Sequence, residues 1–145
     1  MRIVISGSSG LVGRALTTDL ESQGHQVVRL VRSPVSANAG AAATWDPANG
    51  TLDPAVLEGA GAVINLNGRS IADGRWTPAV KTQLRDSRLA STTTLVKAIS
   101  ASASPPPLLI NASAVGYYGD RGEEVLDESS APGSDFLADL CLLYT

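Results

Sequence analysis

Three observations predict the fold class of this chain, an α/β domain built on a doubly wound parallel sheet. Short runs rich in Val, Ile and Leu recur at residues 2–6, at 26–31 and from Ala62. None alternates apolar with polar residues, the mark of strands buried on both faces. Segments of helical spacing fall between the runs, joined by short connections.

The elements follow in order. RIVIS, residues 2–6, makes the first strand and ends in glycines. From Leu11, the apolar side chains of Val12, Ala15, Leu16 and Leu20 keep helical spacing, and Gly24 stands where a left-handed cap would end the helix. QVVRLV, residues 26–31, returns soon enough to close a β-α-β unit. A Gly/Ala-rich stretch, Ser33 to Thr44, comes next, and then WDPANGTLDP, whose Asn49-Gly50 pair marks a tight turn. Asp53-Pro54 reads as an N-cap with proline at the first position of a short helix. A third strand begins around Ala62. Thr77-Pro78 repeats the cap-plus-proline device and opens the longest helix, Pro78 to Ser100. Pro105 to Pro107 stop the chain before a last strand in LLINAS, residues 108–113.

Composition narrows the function classes. The 145 residues suffice for one domain with its own core. A hydrophobic fraction of 43% indicates a globular chain. The formal net charge of −3 and the scattered basic residues exclude nucleic acid or an anionic membrane as the main partner. No run reaches the ~18 apolar residues of a membrane span, and glycines interrupt the N-terminal apolar run before it becomes a signal peptide. The single cysteine, Cys141, fits a reducing compartment, so the expected location is cytoplasmic.

The most informative stretch is ISGSSGLVG, with Gly7, Gly10 and Gly13 spaced by two residues each. Any α/β domain needs a strand-to-helix turn, and glycines make one. Here they sit at the end of the first strand and the start of its helix. Backbone N–H groups and the helix dipole can meet a pyrophosphate at that place with no side chain intervening. Gly13, inside the helix, is expected to permit its close approach to the strand. The loop reads as a dinucleotide cradle on a Rossmann-like sheet, with Gly7, Ser9, Gly10, Leu11, Val12 and Gly13 around the phosphates.

ISGSSGLVG resembles the G-x-x-G-x-x-G loop of extended and atypical short-chain dehydrogenase/reductases. The resemblance continues through WDPANGTLD, AVINLNGRSIADGRWT, RDSR, SASAVGYYGDRG and DFLADLC. Together these motifs resemble the NAD(P)-dependent epimerase/dehydratase family, in its sugar-nucleotide-epimerase-like, "cell division inhibitor" subgroup. The resemblance implies a nicotinamide dinucleotide cofactor and a small-molecule substrate. It places Leu66, Asn67 and Gly68 on the adenine-ribose side, while Asn65 reads as a structural hydrogen-bonder. Asp73, Arg75 and Trp76 lie beyond; they either shape a substrate pocket or cover the sheet edge.

NADP(H) is the expected cofactor, in preference to NAD. An NAD-selective fold carries Asp or Glu after the second strand to bond the ribose 2′-hydroxyl. No acidic residue occurs between Glu21 and Asp46, and Arg32 offers a planar cation suited to a 2′-phosphate. A solvated surface arginine is the competing reading. Arg29, in mid-strand, reads as structural.

Catalysis is less legible. The family pattern implies a Ser or Thr, a Tyr, and a Lys four residues after the Tyr, whose charge lowers the phenol pKa for proton exchange. Ser113 stands at or within one position of the family serine. The only lysines are Lys81 and Lys97, and no tyrosine has Lys four residues on. DFLADLC overlays the family's catalytic helix and puts Leu137 and Cys141 where Tyr and Lys belong. Tyr117 and Tyr118 are the remaining candidate proton donors, Tyr117 having Arg121 at the same spacing. Cys141 lacks a histidine partner, the only histidine being His25.

Residues 1–145 are thus expected to form one NAD(P)-binding domain, incomplete at its C-terminus and without the family's substrate lobe. Two functions follow: a portion of an epimerase-like oxidoreductase, or a non-catalytic NADP(H)-binding sensor. A homodimer is expected, with Phe136, Leu140 and Leu143 partly exposed or buried at a partner.

Overall fold

A computed structural model describes residues 1–33, 40–72 and 74–144. Asp73 and residues 34–39 of the Gly/Ala-rich stretch lie outside the described residues. The chain divides into two compact units, Met1–Asn111 and Ala112–Thr145.

The first unit is a five-stranded, all-parallel sheet of order β3-β2-β1-β4-β5. Its strands are β1 (Arg2–Ser6), β2 (Gln26–Val31), β3 (Ala42–Thr44), β4 (Ala62–Asn65) and β5 (Leu109–Asn111). Its helices are α1 (Leu11–Ser22) and α2 (Pro78–Ala101). Val4 pairs with Val28 on one side and Val63 on the other, so β1 lies at the centre. Alternate residues serve opposite faces. Ile3, Ile5, Val27 and Ile64 cluster with Leu16 and Leu20 of α1. Val4, Val28, Leu30 and Val63 cluster instead with Trp45, Leu57, and with Leu95 and Ala98 of α2. The absence of polar alternation in the sequence has this cause: both faces are core. The fold is Rossmann-like.

The caps are where the sequence places them. Gly24 has φ +81 and Gly50 φ +67, both left-handed. Thr77 Oγ1 accepts from Val80 N at 3.3 Å, and Pro78 opens α2. Asp53 caps Pro54–Leu57, which is a single 3-10 turn rather than an α-helix. Two strands differ from expectation. β3 stands at the end of the Gly/Ala-rich stretch, where the sequence reading places no strand, because Ala-Ala-Thr carries little β-propensity. β5 stops at Asn111, so Ser113 lies beyond the sheet, in the second unit.

That second unit holds a 3-10 turn, Val115–Tyr118, and a short helix α3, Phe136–Leu142, packed against it. Asp135 caps α3 by accepting from Ala138 N at 2.9 Å. Leu140 is buried within the chain itself at 3% exposure, where partial exposure or burial at a partner is expected, while Leu143 is 37% exposed. The difference follows from α3 folding onto the turn, which turns Ala138, Leu140 and Cys141 inward.

Candidate dinucleotide-binding site

The strand order reverses between β1 and β4, and ligands of open α/β sheets bind at such a reversal, beyond the carboxyl ends of the strands. Gly7 follows β1 there, and Leu66 to Gly68 follow β4. The two segments touch. Gly7 has φ +74, and a Cβ on it would stand 2.6 Å from the Leu66 carbonyl carbon and oxygen. Only glycine fits between the loop and the neighbouring strand end.

Gly13 is buried for another reason than the expected helix-to-strand approach. A Cβ on it would stand 2.3 Å from Gly7 O and 2.7 Å from Ser8 Cα. The helix therefore packs on the loop that precedes it. Gly10 differs: its nearest neighbour is Gly7 O at 3.4 Å, and its outer side is open. Gly10 N donates to Gly7 O at 3.1 Å, closing the turn. α1 then begins with no side-chain cap, and Leu11 and Val12 are 83% and 62% exposed.

A groove runs from this loop across the ends of β2 and β4. One cavity of about 270 Å³ is lined by Gly7, Ser9, Arg32, Trp45 and Asn67. A second, of about 320 Å³, adds Asp46, Pro47 and Asp86 to Arg32 and Asn67. A third, of about 490 Å³, joins Arg32, Asn67 and Gly68 to Arg69, Gln83 and Ser87. Arg32 and Asn67 border all three. Leu66 instead turns its side chain into the α1-side core and presents its backbone to Gly7. The Arg29 guanidinium lies against Gly40.

A buried polar cluster sets the strand ends in register. Asn65, 4% exposed, accepts at Oδ1 from Ser6 Oγ at 2.6 Å and from Asn67 N at 3.2 Å. Its Nδ2 donates to Asn111 Oδ1 at 2.6 Å and to Thr92 Oγ1 at 3.3 Å. One amide therefore ties β1, β4, β5 and α2 together and fixes the backbone of Asn67. The expected structural role of Asn65 is seen in full.

Several groove residues escape the sequence reading. Trp45 and Asp46 follow β3, so missing that strand also hides its carboxyl end. The Asn49 side-chain amide, with the N–H groups of Asn49 and Ala48, holds the Asp46 carboxyl below its ordinary pKa. Arg69, Asp86 and Ser87 come from motifs that carry no chemical signature of their own.

The second unit shows the catalytic candidates' surroundings. Ser113 is exposed. The Tyr117 and Tyr118 rings meet edge to face, centroids 5.1 Å apart at 88°. Arg121 forms a bidentate pair with Glu124, Nε to Oε2 at 2.8 Å and Nη2 to Oε1 at 2.7 Å. Its charge is thereby committed to Glu124. Leu137 packs on Gly116, and Cys141 is buried with its thiol toward Ala114 O at 3.9 Å. His25 belongs to the first unit, its Nδ1 3.2 Å from the Met1 amino group.

The family model for the NAD dependent epimerase/dehydratase family matches residues 3–138. Epimerase family protein Mb2239 of Mycobacterium bovis is 44% identical over 141 residues, covering 97% of this chain and 45% of that protein. A crystal structure of human epimerase family protein SDR39U1 with NADPH has TM-score 0.84 at 30% identity, covering 99% of this chain and 47% of the other. A nucleoside-diphosphate sugar epimerase from Corynebacterium glutamicum has TM-score 0.79 at 37% identity, over 99% of this chain and 29% of the other. The chain thus spans about half the length, or less, of the proteins it matches. Among the described residues no helix is long and apolar enough to cross a membrane. On the match of residues 3–138 and the shared fold, the chain belongs to the NAD dependent epimerase/dehydratase family.

Proposed function

We propose that this chain is the NADP(H)-binding portion of an epimerase/dehydratase-like oxidoreductase acting on a small-molecule substrate. The observation that carries the reading is the convergence of Gly7, Ser9, Arg32 and Asn67 on one cavity at the strand-order reversal. The NADPH of the human SDR39U1 structure supports the choice of dinucleotide. MoeE5, crystallised with NAD and UDP-glucose, shares the fold at 20% identity and bears on the fold alone.

The residues present fit such a cofactor. Gly10 leaves its outer side open, and the uncapped start of α1 leaves N–H groups for a pyrophosphate. Leu11, Val12 and Gly13 supply those groups. Arg32 holds the 2′-phosphate, and the Leu66–Gly68 segment borders the adenine-ribose side. When bound, the nicotinamide gives or takes a hydride at a substrate carbon. Ser113 and one of Tyr117 and Tyr118 are the chain's candidates for polarising and protonating the substrate oxygen.

A second reading, a non-catalytic NADP(H) sensor, is favoured by one observation. Leu137 and Cys141, which the family resemblance puts at the Tyr and Lys positions, stand on α3, and neither offers a phenol or an ammonium. A homodimer and a cytoplasmic location complete the proposal, and residues 1–145 alone are expected to turn over no simple carbonyl substrate with NADPH.

Arg32→Asp tests the cofactor assignment. Each lost charge-assisted contact is worth about 1.5–3 kcal/mol, so NADPH affinity should fall at least about tenfold while NADH affinity rises. Calorimetric titration of both variants with both cofactors measures the ratio. An unchanged ratio overturns the role of Arg32.

A further inference from the structure

We propose that Arg69 is a second phosphate-binding arginine which, with Arg32, reads the 2′-phosphate; this rests on the NADP(H) reading above. The cavity of about 490 Å³ has both arginines on its wall. Asn67, Gln83 and Ser87 line it too, and no Asp or Glu does so among the described residues. Two arginines bordering one open cavity without a carboxylate on its wall make that cavity locally positive and favour an anion there, whereas Asp46 and Asp86 line the neighbouring cavity that Arg32 also borders.

The backbone of Arg69 is clamped by α2. Its N–H donates to Ser87 Oγ at 3.1 Å, and its carbonyl accepts from Arg88 Nη1 at 3.2 Å. Ser87 Oγ is itself fixed by donating to Leu84 O at 3.0 Å. The side chain therefore springs from a rigid point, which lowers the ordering cost of binding. Its guanidinium donates to the Gln83 amide oxygen, while Nε is buried without a partner. A buried donor left unpaired costs about 1–3 kcal/mol, and a small rotation toward a phosphate relieves that cost with a bidentate contact. Gln83 is neutral, so it holds the arginine in place without cancelling its charge.

The test uses three variants, Arg69→Gln, Gln83→Glu and Arg32→Ala, titrated with NADPH, NADH, adenosine 2′,5′-bisphosphate and AMP. Arg69→Gln keeps polar bonding but removes the charge; Gln83→Glu leaves Arg69 in place and neutralises it. Each should weaken NADPH and the bisphosphate about tenfold while NADH and AMP change less than about twofold. Equal loss for all four ligands would make Arg69 a structural residue and overturn the inference. So would unchanged binding in both variants while Arg32→Ala alone abolishes the preference; the NADP(H) reading would then stand without Arg69. A wild-type chain that prefers neither cofactor would overturn both. Thermal unfolding of each variant verifies the fold independently of any ligand.

Discussion

Gly13→Val is expected to destabilise the first unit by about 3–5 kcal/mol, whereas Gly10→Val costs about 1 kcal/mol or less. Helix propensity alone favours valine over glycine by a few tenths of a kcal/mol, so the intrinsic term has the wrong sign. Packing decides. The first carbon of the new side chain at position 13 meets Gly7 O at 2.3 Å and Ser8 Cα at 2.7 Å, and both are backbone. Neither can rotate away. Relief requires moving the loop, and Gly7 is held in turn against the Leu66 carbonyl. At Gly10 the nearest atom is 3.4 Å away, so the protein accommodates a side chain there. Gly10→Val should instead abolish cofactor binding, because its side chain points to the side assigned to the pyrophosphate. Urea midpoints at constant slope, read beside NADPH titrations, separate the two effects. Equal midpoints for the two variants would contradict this account of the loop.

Asn65→Leu carries the next largest expected effect, a loss of about 2–4 kcal/mol. Leucine fills a similar volume but offers no polar atom. The Ser6 hydroxyl, in a residue with 0% exposure, loses its acceptor, and the Asn67 N–H loses the side chain that fixes it. Asn111 and Thr92 each lose a donor as well. Orphaned buried polar groups cost about 1–3 kcal/mol each, partly offset by added apolar burial. For a domain of this size the melting temperature should fall by roughly 6–12 °C. Pairing it with Ser6→Ala in a double-mutant cycle isolates the 2.6 Å bond between the two residues. A fall of less than about 1 kcal/mol in Asn65→Leu would show that the cluster does not hold the strand ends.

The central strands were legible because their chemistry is unambiguous. RIVIS, QVVRLV and AVIN are apolar on both faces, which only a covered parallel sheet explains. Cap chemistry at Thr77-Pro78 and the glycines at 24 and 50 read equally well, since each answers a local backbone need. β3 was hidden because its three residues owe their conformation to pairing with Arg29, Leu30 and Val31 rather than to themselves. The loss extended to the site, because Trp45 and Asp46 follow that strand. Gly13 has no room for a side chain, but what crowds it, the preceding loop, is a tertiary contact that spacing does not reveal. Arg69 was invisible for the same reason. An arginine in a loop signals nothing until α2 brings Ser87, Arg88 and Gln83 against it.

Titration of the unmodified chain with NADPH and with NADH, by calorimetry at one fixed ionic strength, tests the central claim most directly. The account predicts saturable binding of NADPH at one site per chain, and NADH binding weaker by at least about tenfold. Superimposable curves for the two cofactors, or no saturable heat with either, would contradict it.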